Sequence, residues 1–313
     1  MILTLGAFDG FHRGHQKLMD RARLLAQGSG DSWAVLTFSP HPQAVLSPSP
    51  RSFLFTEQER DLITAYLGIP NIIKINFSRW FAELSPEAFL DYLATNFPVT
   101  GIVVGDDFRY GQARKGDVDQ LKESCLRRHW KIAVLPQLIR EDQVVSSTAI
   151  RQRVAGGDMA GAERFLAYPF FVAAVVVPGD QRGRALGFPT ANFSIPQGKL
   201  LPERGVYRAF ARVDGNWRPG ALNVGYNPTF EGCRSLRFEL HLPGYAGDLY
   251  GRCLPVFIVK RLREEMRFER IEELKEQMKS DVSAVCEGWP GDQQSRRDLL
   301  PRWAKIIDKQ LHC

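Results

Sequence analysis

Residues 2–15 read ILTLGAFDGFHRGH, a short apolar run that leads directly into a glycine-rich turn. The run Ile2 to Leu5 predicts a β-strand, and a helical pattern from Gln16 to Ala26 follows the turn. Glycines at such a turn let backbone N–H groups approach a phosphate, and the helix N-terminus adds partial positive charge. The stretch therefore predicts the first strand and helix of an α/β domain, with an anion site between them.

Two histidines lie in this turn, His12 and His15, three residues apart. That spacing is about one helical turn, so both imidazoles can donate hydrogen bonds to one phosphoryl oxygen, for which Gly14 leaves room. Two alternatives stay open. The pair could bind a metal, although no third ligand is nearby, or both residues could be ordinary surface histidines.

The rest of the first half continues this alternation of apolar runs and helical patterns. Further strands are predicted at Trp33–Phe38, Ile72–Phe77, Ile102–Gly105 and Ile132–Leu135. A second helical pattern covers Glu57–Leu67. Strands that alternate with helices are typical of βαβ units, so we predict an α/β, Rossmann-like domain with a parallel sheet.

From Phe170 onward the apolar runs follow one another without helices between them. Strands are predicted at Phe170–Val177, Val206–Val213, Leu236–Leu242 and Leu254–Val259, with Gly, Pro and Asn turns between them. This pattern indicates an antiparallel β-barrel or sandwich. A C-terminal amphipathic helix follows, which we expect to pack on this domain through Ile271, Leu274, Met278, Val282 and Val285.

A short helical segment, Met159–Ala167, separates the two patterns; Asp158 caps it and the Gly156–Gly157 helix stop precedes it. We predict a first domain at residues 1–157, a connector helix at 158–168, a second domain at 169–287 and a tail of unassigned role at 288–313. The tail could pack on the barrel or bind a partner through the apolar face of a helix that carries Leu299, Leu300, Trp303, Ile306 and Ile307.

Composition narrows the class of protein. The 313 residues are 44% hydrophobic and 24% charged, which excludes a disordered or fibrous chain, and the net charge of +6 favours anionic partners in general. The five cysteines show neither a Cys-x-x-Cys pair nor zinc spacing, so we expect reduced thiols. No leader-like segment opens the chain and no apolar stretch reaches ~18 residues, so we predict a soluble, cytoplasmic protein.

Two more motifs in the first half suit a nucleotide. The run SSTAIR at 146–151 opens a helix that Ser147 or Thr148 would cap, with Arg151 one turn further on, although such caps also occur in helices that bind nothing. The segment GDDFRYG at 105–111 follows a strand, where open parallel sheets hold ligands. Asp107 could contact a ribose, a base or a magnesium-bound water, or could be a turn residue only.

The second half contains a glycine-rich basic loop, PGDQRGRALGFPTAN at 178–192. Its glycines can expose N–H groups to an anion, but it lacks the Gly-Lys-Ser/Thr of a P-loop. Thr190 and Asn192 would place two oxygen ligands on one side of an extended segment, which suits Mg²⁺. An ordinary turn loop is the alternative.

Strict alternation in residues 236–242 places Arg237, Glu239 and His241 on one face of a strand, opposite Leu236, Phe238, Leu240 and Leu242. Such a polar face is usually only solvated. A carboxylate held beside a phosphate loop could, however, remove the proton from an attacking hydroxyl, and Glu239 is the candidate.

Taken together, the first-half motifs resemble the adenylyltransferase module of the bifunctional riboflavin kinase/FAD synthetase family, nucleotidyltransferases with a His-x-Gly-His motif. The match comprises residues 6–15, TFSPHP at 37–42, 105–111 with Gly116–Asp117, and 146–151. The resemblance implies that His12 and His15 stabilise charge at the α-phosphate of ATP and that Asp107 contacts the flavin or nucleotide. It further implies ATP or phosphate contacts at Gly6, Phe8, Asp9, Gly10, Gly14, Ser147, Thr148 and Arg151.

The second-half motifs are similar to the riboflavin kinase module of the same family. They are residues 183–192, PERGVY at 202–207, NPTF at 227–230, the Glu239 strand and DLYG at 248–251. The resemblance implies that Glu239 activates the ribityl 5′-hydroxyl, that Thr190 and Asn192 bind the metal, and that Asn227 and Thr229 contact flavin or nucleotide. It implies phosphate contacts at Gly179, Gly183, Arg184, Gly187 and Pro189.

The chain departs from the family pattern at three places. Gln181 stands where a glycine is often found, which we expect to affect ATP affinity. Only Met1 precedes the first strand, where family members usually carry more residues, and we expect this to lower stability rather than remove chemistry. The tail goes past the family's usual end.

The resemblance implies an enzyme that phosphorylates riboflavin to FMN and adenylylates FMN to FAD, with Mg²⁺–ATP at both sites. Its partners would be the small molecules riboflavin, FMN and ATP, without nucleic acid or membrane, and the sequence indicates no oligomeric state. Two alternatives stay open: a riboflavin kinase with a degenerate adenylyltransferase half, and a non-enzymatic flavin or nucleotide sensor.

Overall fold

The computed structural model describes residues 1–48, 52–180, 182–228, 234–289 and 304. Of residues 182, 226–228 and 234–236 only the backbone is described. The chain divides into two compact units. The first comprises Met1–Phe53 and Arg60–Ala149, and the second comprises Leu54–Glu59 and Ile150–Cys313.

The first unit is built on a five-stranded parallel sheet with the order β3-β2-β1-β4-β5. All five predicted strands are present, with ends that differ by at most one residue: β1 Ile2–Leu5, β2 Trp33–Ser39, β3 Ile72–Asn76, β4 Gly101–Gly105 and β5 Lys131–Leu135. The helices of residues 1–155 are α1 Arg13–Ser29, α2 Pro42–Leu46, α3 Glu57–Tyr66, α4 Arg79–Ala82, α5 Pro86–Asn96, α6 Val118–Arg127 and α7 Ser147–Ala155. A 3₁₀ turn covers Gln112–Arg114, and a small hairpin pairs β6 Ile139–Arg140 with β7 Gln143–Val144.

The central strand β1 is buried on both faces, as expected for a parallel sheet. Leu3 and Leu5 belong to a large core cluster on one side, whereas Ile2 packs with Ala22 and Ala26 of α1 on the other. Because successive side chains of a strand point to opposite faces, the four-residue apolar run fills both cores. The turn after Leu5 therefore starts from a rigid position at the carboxyl edge of the sheet.

The second unit is a closed antiparallel barrel with the strand order β10-β11-β12-β9-β8-β13. Its strands are β8 Phe171–Val177, β9 Thr190–Ser194, β10 Gly205–Val213, β11 Asn216–Pro228, β12 Arg234–His241 and β13 Cys253–Arg263. The predicted antiparallel domain is thus a barrel. The sequence did not predict β9 or β11 as strands. β11 contains Pro219 and Gly220, which normally indicate a turn, but a Cβ on Gly220 would lie 2.6 Å from the Leu240 side chain, so the close strand approach requires glycine.

The second unit contains the last part of α7 and, further along the described chain, the helices α8 Met159–Leu166, α9 Arg182–Leu186 and α10 Ile271–Cys286. Asp158 caps α8 as predicted, because its Oδ1 accepts a hydrogen bond from the Gly161 N–H at 2.8 Å. Helix α10 packs against β10 and β11. Its predicted apolar face is wrong at Ile271, which is 60% exposed. The packed face also buries Asp281, whose carboxylate binds the Arg263 guanidinium at 2.7 Å.

The start of the tail lies on the barrel, where the Trp289 ring packs against Phe210 with a centroid distance of 5.3 Å. The Arg208 guanidinium donates to the Glu287 carbonyl oxygen at 2.7 Å. The apolar tail residues Leu299, Leu300, Trp303, Ile306 and Ile307 lie outside the described residues, so their role stays a prediction.

A buried ion pair joins residues 54–59 to the barrel. Both side chains of the Lys199–Glu59 pair are fully buried, with 2.8 Å between Nζ and Oε2. The Lys199 ammonium also donates to the carbonyl oxygens of Leu54 at 2.6 Å and Phe171 at 2.8 Å, so each of its three protons has an acceptor. The same ammonium lies 4.4 Å from the centroids of the Phe55 and Phe170 rings, a cation–π geometry.

The Glu59 carboxylate is equally well bonded. It accepts from the backbone N–H of Thr56 at 2.7 Å and of Ala173 at 2.7 Å, in addition to Lys199. The Glu59 N–H bonds back to the Thr56 hydroxyl at 3.3 Å, so the two residues form a capping box at the start of α3. A buried ion pair is tolerated only when such additional hydrogen bonds satisfy both ions.

Removing one member of this pair should be strongly destabilising. We expect Glu59→Gln to lower the free energy of unfolding by about 3–5 kcal/mol, because Lys199 is then buried without its counter-charge. Urea unfolding followed by fluorescence measures the loss. The matched control is Glu276→Gln, which breaks the exposed Lys279–Glu276 pair and should change stability by about 0.5 kcal/mol or less. Equal losses in the two variants would contradict the assignment.

Candidate active sites

The turn after β1 brings both predicted histidines together. His12 is the N-cap of α1, and its Nδ1 accepts a hydrogen bond from the His15 backbone N–H at 3.4 Å. The two imidazoles stack with a centroid distance of 3.6 Å, and the Phe8 ring meets His15 edge-on at 5.0 Å. Because Nδ1 of His12 is an acceptor, Nε2 carries the proton of the neutral ring. The geometry thus provides one directed imidazole N–H donor at the start of α1.

Burial keeps both imidazoles neutral. Desolvation lowers the pKa of His12 from about 6.5 to about 3. The pKa of His15 lies well below its usual range, first because of desolvation and then because His12 and the Arg60 guanidinium repel a further positive charge. Without an anion beside them, both rings are therefore neutral near neutral pH.

Three glycines of the turn stand where packing or backbone conformation favours glycine. A Cβ on Gly14 would lie 3.1 Å from His12 Cε1, and a Cβ on Gly6 would lie 3.1 Å from the Phe8 ring. Both glycines therefore make room for neighbouring side chains of the turn. Gly10 has a φ of 94°, which favours glycine by backbone conformation. Phosphate contacts at Gly6, Gly10 and Gly14 stay predictions.

Sequence reasoning missed Arg60, which is buried beside this turn. Its guanidinium donates to the Thr37 hydroxyl at 2.6 Å, the Ala7 carbonyl oxygen at 3.2 Å and the Phe38 carbonyl oxygen at 3.3 Å. It also lies 5.9 Å from the Phe11 ring centroid. Arg60 thus ties the turn after β1 to the end of β2. The capping box at Thr56 and Glu59 would have located the helix start beside it, but not its burial.

The SSTAIR motif lies at the start of α7, as predicted, but the cap is different. The Ser146 hydroxyl, and not Ser147 or Thr148, accepts the Ala149 N–H at 3.2 Å. Ser147 instead donates to the carbonyl oxygen of the buried residue Asp9 at 2.6 Å, which joins α7 to the turn after β1. Thr148 is exposed and Arg151 half-buried. Asp107 is exposed at the end of β4, with its carboxylate close above Gly105.

In the barrel, strand register brings the predicted kinase residues together. Glu239 of β12 pairs with Asn192 of β9, and His241 pairs with Thr190. Directly paired residues share a sheet face, and residues two apart on a strand share it as well. Glu239, Asn192, Thr190 and His241 therefore lie on one face. Phe238 and Leu240 are buried, so the predicted alternation of β12 is confirmed for the residues whose side chains are described.

Charged and polar residues contact the side chains of this face. Arg237 Nε lies 3.4 Å from a Glu239 carboxylate oxygen and its NH2 lies 4.0 Å from Asp180. His241 Nδ1 is 2.7 Å from the Pro189 carbonyl oxygen. Neither Arg237 nor His241 was predicted as a site residue, although both stand on the polar face that the alternation identified.

The glycine-rich loop before β9 is partly helical, because α9 forms within it. A Cβ on Gly179 would overlap the Asn192 side chain, and one on Gly183 would overlap the Phe188 carbonyl oxygen. These glycines permit close packing, whereas Gly187 has a φ of 89°. Gln181 lies outside the described residues. The predicted phosphate contacts of this loop, including Arg184 and Pro189, stay predictions.

A cleft of about 340 Å³ opens beside β9, and its lining includes Thr190 but neither Glu239 nor Asn192. Its lining comprises Arg184, Pro189 and Thr190 together with the continuous segment Tyr245–Tyr250. Val176, Leu240 and Leu242 supply apolar lining. An apolar cleft with a few polar groups is the usual form of a small-molecule site.

The oxygen donors of this face suit magnesium that arrives with a nucleotide. Thr190 and Asn192 offer a hydroxyl and an amide oxygen beside the Glu239 carboxylate. Within the described ranges, no group of three or more His, Cys, Asp or Glu side chains is placed to hold a metal ion. The Asn227 side chain is not described, and Thr229 lies outside the described residues.

Comparison with known proteins divides the chain into two parts, close to the division between the two compact units. A family model for FAD synthetase matches residues 1–149, and one for riboflavin kinase matches residues 166–287. A protein of Bacillus subtilis (strain 168), the bifunctional riboflavin kinase/FMN adenylyltransferase, is 34% identical over 284 residues, 90% of each chain. The chain belongs to this family of bifunctional enzymes. The family member of Escherichia coli (strain K12) is 35% identical over 283 residues, again 90% of each chain.

One solved structure that is similar to this chain is described under a different name. It is described as a macrolide-efflux protein from Streptococcus pneumoniae, with a TM-score of 0.83 and 28% identity over 92% of this chain and 94% of that one. In the part of the chain that the structure describes, no helix has the length and apolar composition to cross a membrane.

Burial of His12 should make stability depend on pH. The folded pKa of about 3 lies below the unfolded value of 6.5, so the unfolded chain binds the extra proton. The free energy of unfolding should therefore fall as pH drops from about 6.5 toward 3, by up to about 1.4 kcal/mol per pH unit from this group. His12→Asn, which keeps a capping side chain, should remove that part of the slope.

Urea unfolding at several pH values between 4 and about 7.5 measures the difference between His12→Asn and the unchanged protein. His129→Asn is the matched control, because His129 is exposed. A parallel loss of stability in all three proteins on acidification would show that His12 is not buried as a neutral group.

Proposed function

We propose that this chain phosphorylates riboflavin to FMN with ATP and adenylylates FMN to FAD with a second ATP, releasing pyrophosphate. The observation that supports both activities is the convergence of two separate polar sets in two compact units. One set is the His12–His15 pair at the start of α1, and the other is the Glu239, Asn192 and Thr190 face of the barrel. We propose residues 1–157 and 169–287 as the corresponding functional domains.

Adenylyl transfer needs positioning and charge stabilisation more than proton transfer. A phosphate oxygen of FMN is already a nucleophile and attacks the α-phosphorus of ATP, while pyrophosphate leaves with the bond electrons. The negative charge that develops on the α-phosphate would meet the His12 Nε2–H and the positive end of the α1 helix dipole. His15 would contribute as a second neutral imidazole. Ser147 would hold the turn through its bond to Asp9.

Phosphorylation of riboflavin needs a base. The Glu239 carboxylate would accept the proton of the ribityl 5′-hydroxyl as its oxygen attacks the γ-phosphorus and ADP leaves. The neighbouring Arg237, 3.4 Å from Glu239, would orient the carboxylate. Thr190 and Asn192 would bind Mg²⁺ together with the ATP phosphates. Magnesium, when bound, neutralises charge on the transferring phosphoryl group.

The two alternative functions have less support. A degenerate adenylyltransferase half would not need two stacked neutral histidines at a helix start that is held by Arg60 and Ser147. A sensor would not need a carboxylate paired with Asn192 on the polar face of β12. The cytoplasmic location and the reduced cysteines stay predictions.

Separate loss of the two activities tests the assignment. We expect His15→Ala to lower FAD formation from FMN about 100-fold or more, because a donor to the transition-state charge is lost. Glu239→Gln should lower FMN formation from riboflavin about 100-fold or more, because the base is lost. Chromatography of the flavin products, with Mg²⁺ and ATP supplied, measures each step alone.

Each variant is the control of the other, because its unaffected activity shows that the protein is folded. Unchanged flavin turnover in both variants would overturn the proposed site residues. Absence of FAD formation in the unchanged protein would favour the degenerate-half alternative, and absence of both products would favour the sensor.

A further inference from the structure

One wall of the barrel cleft is a single loop, Tyr245–Tyr250, and that loop is exposed over most of its length. Strand β9 and the segment before it form another part of the lining. A loop without strand pairing normally moves more than the strands beside it. Something outside the cleft must therefore fix the loop if the cleft is to keep its width.

The carboxylate of Asp214 binds the chain at both ends of this loop. Its Oδ2 accepts a hydrogen bond from the Tyr245 hydroxyl at 3.0 Å, at the first residue of the wall. Its Oδ1 accepts from Arg252 at 2.9 Å, two residues after the wall ends. Both bonds favour the ionised carboxylate, and the pKa of Asp214 is correspondingly lowered, first by Arg252 and then by Tyr245.

Asp214 itself stands on a rigid base, the tight turn between β10 and β11. Asp214 and Gly215 have φ values of 51° and 75°, which are typical of a two-residue hairpin. Its backbone oxygen accepts from the Asn216 side chain at 2.9 Å. The flanking strands are paired from end to end, so the barrel fixes the position of the carboxylate.

The Tyr245 ring is held by more than its hydroxyl. The Arg218 guanidinium lies 5.0 Å from the ring centroid. A Cβ on Gly247 would overlap the Tyr245 hydroxyl, so glycine is required where the loop passes over the ring. The ring thus connects the hairpin on one side with the middle of the cleft wall on the other.

We propose that Asp214 is a positioning residue for nucleotide binding: it clamps Tyr245 and Arg252 and so holds the loop that lines the same cleft as Thr190 and Arg184. This inference rests on the proposed kinase function and adds to it a residue outside the cleft. Asp214 does not line the cleft, so it acts on ATP only through the loop. Its loss should weaken ATP binding and leave the Glu239 chemistry intact.

The test is a KM-against-kcat comparison of the riboflavin kinase reaction. We expect Asp214→Asn to raise the KM for ATP about threefold to tenfold, as for loss of partly exposed charged hydrogen bonds, with kcat and the KM for riboflavin unchanged. Tyr245→Phe should have a similar effect. The double variant should be no worse than the worse single variant, because both changes break one clamp.

The matched control is Glu203→Gln. Glu203 is also a largely exposed carboxylate of the barrel with an arginine partner, Arg261 at 3.3 Å, but it does not line the cleft. It should leave the KM for ATP unchanged. FAD formation from supplied FMN should be normal in every variant. An unchanged KM for ATP in Asp214→Asn, or a fall in kcat alone, would overturn the inference.

A second measurement does not depend on turnover. Chymotrypsin cleavage after Tyr245 and Tyr250, followed by mass spectrometry, should be faster in Asp214→Asn than in the unchanged protein and Glu203→Gln. Equal cleavage rates would show that Asp214 does not hold the loop. If the unchanged protein makes no FMN, the kinase proposal fails by itself, and the cleavage rates still decide whether the clamp exists.

Discussion

The fully buried pair of Lys199 with Glu59 is the contact on which the second unit most depends. An ammonium and a carboxylate without water each require hydrogen-bond partners, and here the partners come from residues 54–59 and from β8. The barrel unit is therefore discontinuous in sequence, because residues 54–59 belong to it. A purely apolar contact could slide, whereas five directed bonds at two ions fix one arrangement.

At the turn after β1, burial has the opposite effect on ionisation. Lys199 and Glu59 are buried as a charged pair, whereas His12 and His15 are buried as neutral rings. His12 and His15 share a small volume with Phe8, and a second positive charge is already present on Arg60. Protonation of either ring is costly there, so both remain N–H donors over the physiological pH range. An anion at this site would meet fixed dipoles, which need no reorganisation during transfer and require no matching of pH to an imidazole.

The sequence predicts what depends on local periodicity and misses what depends on distant partners. The five strands of the first unit and the polar face of β12 follow from period and composition, so they were predicted to within a residue or two. Strand β11 was missed because Pro219 and Gly220 are tolerated only in its particular packing. The partner of Glu59 lies 140 residues away, and Arg60 is distinguished only by its burial. No local pattern encodes either contact.

The two sites also differ in how the fold fixes them. In the parallel sheet, the turn after β1 lies at the carboxyl edge of the sheet. Side-chain packing within that turn determines how His12 and His15 are oriented. In the barrel, strand register alone places Glu239 opposite Asn192. A shift of β12 by one residue would turn Glu239 into the core and Phe238 into solvent, so the hydrophobic effect on Phe238 and Leu240 enforces the register that pairs Glu239 with Asn192. The apolar face of this strand thus determines the position of Glu239, the proposed base, as strictly as any polar contact does.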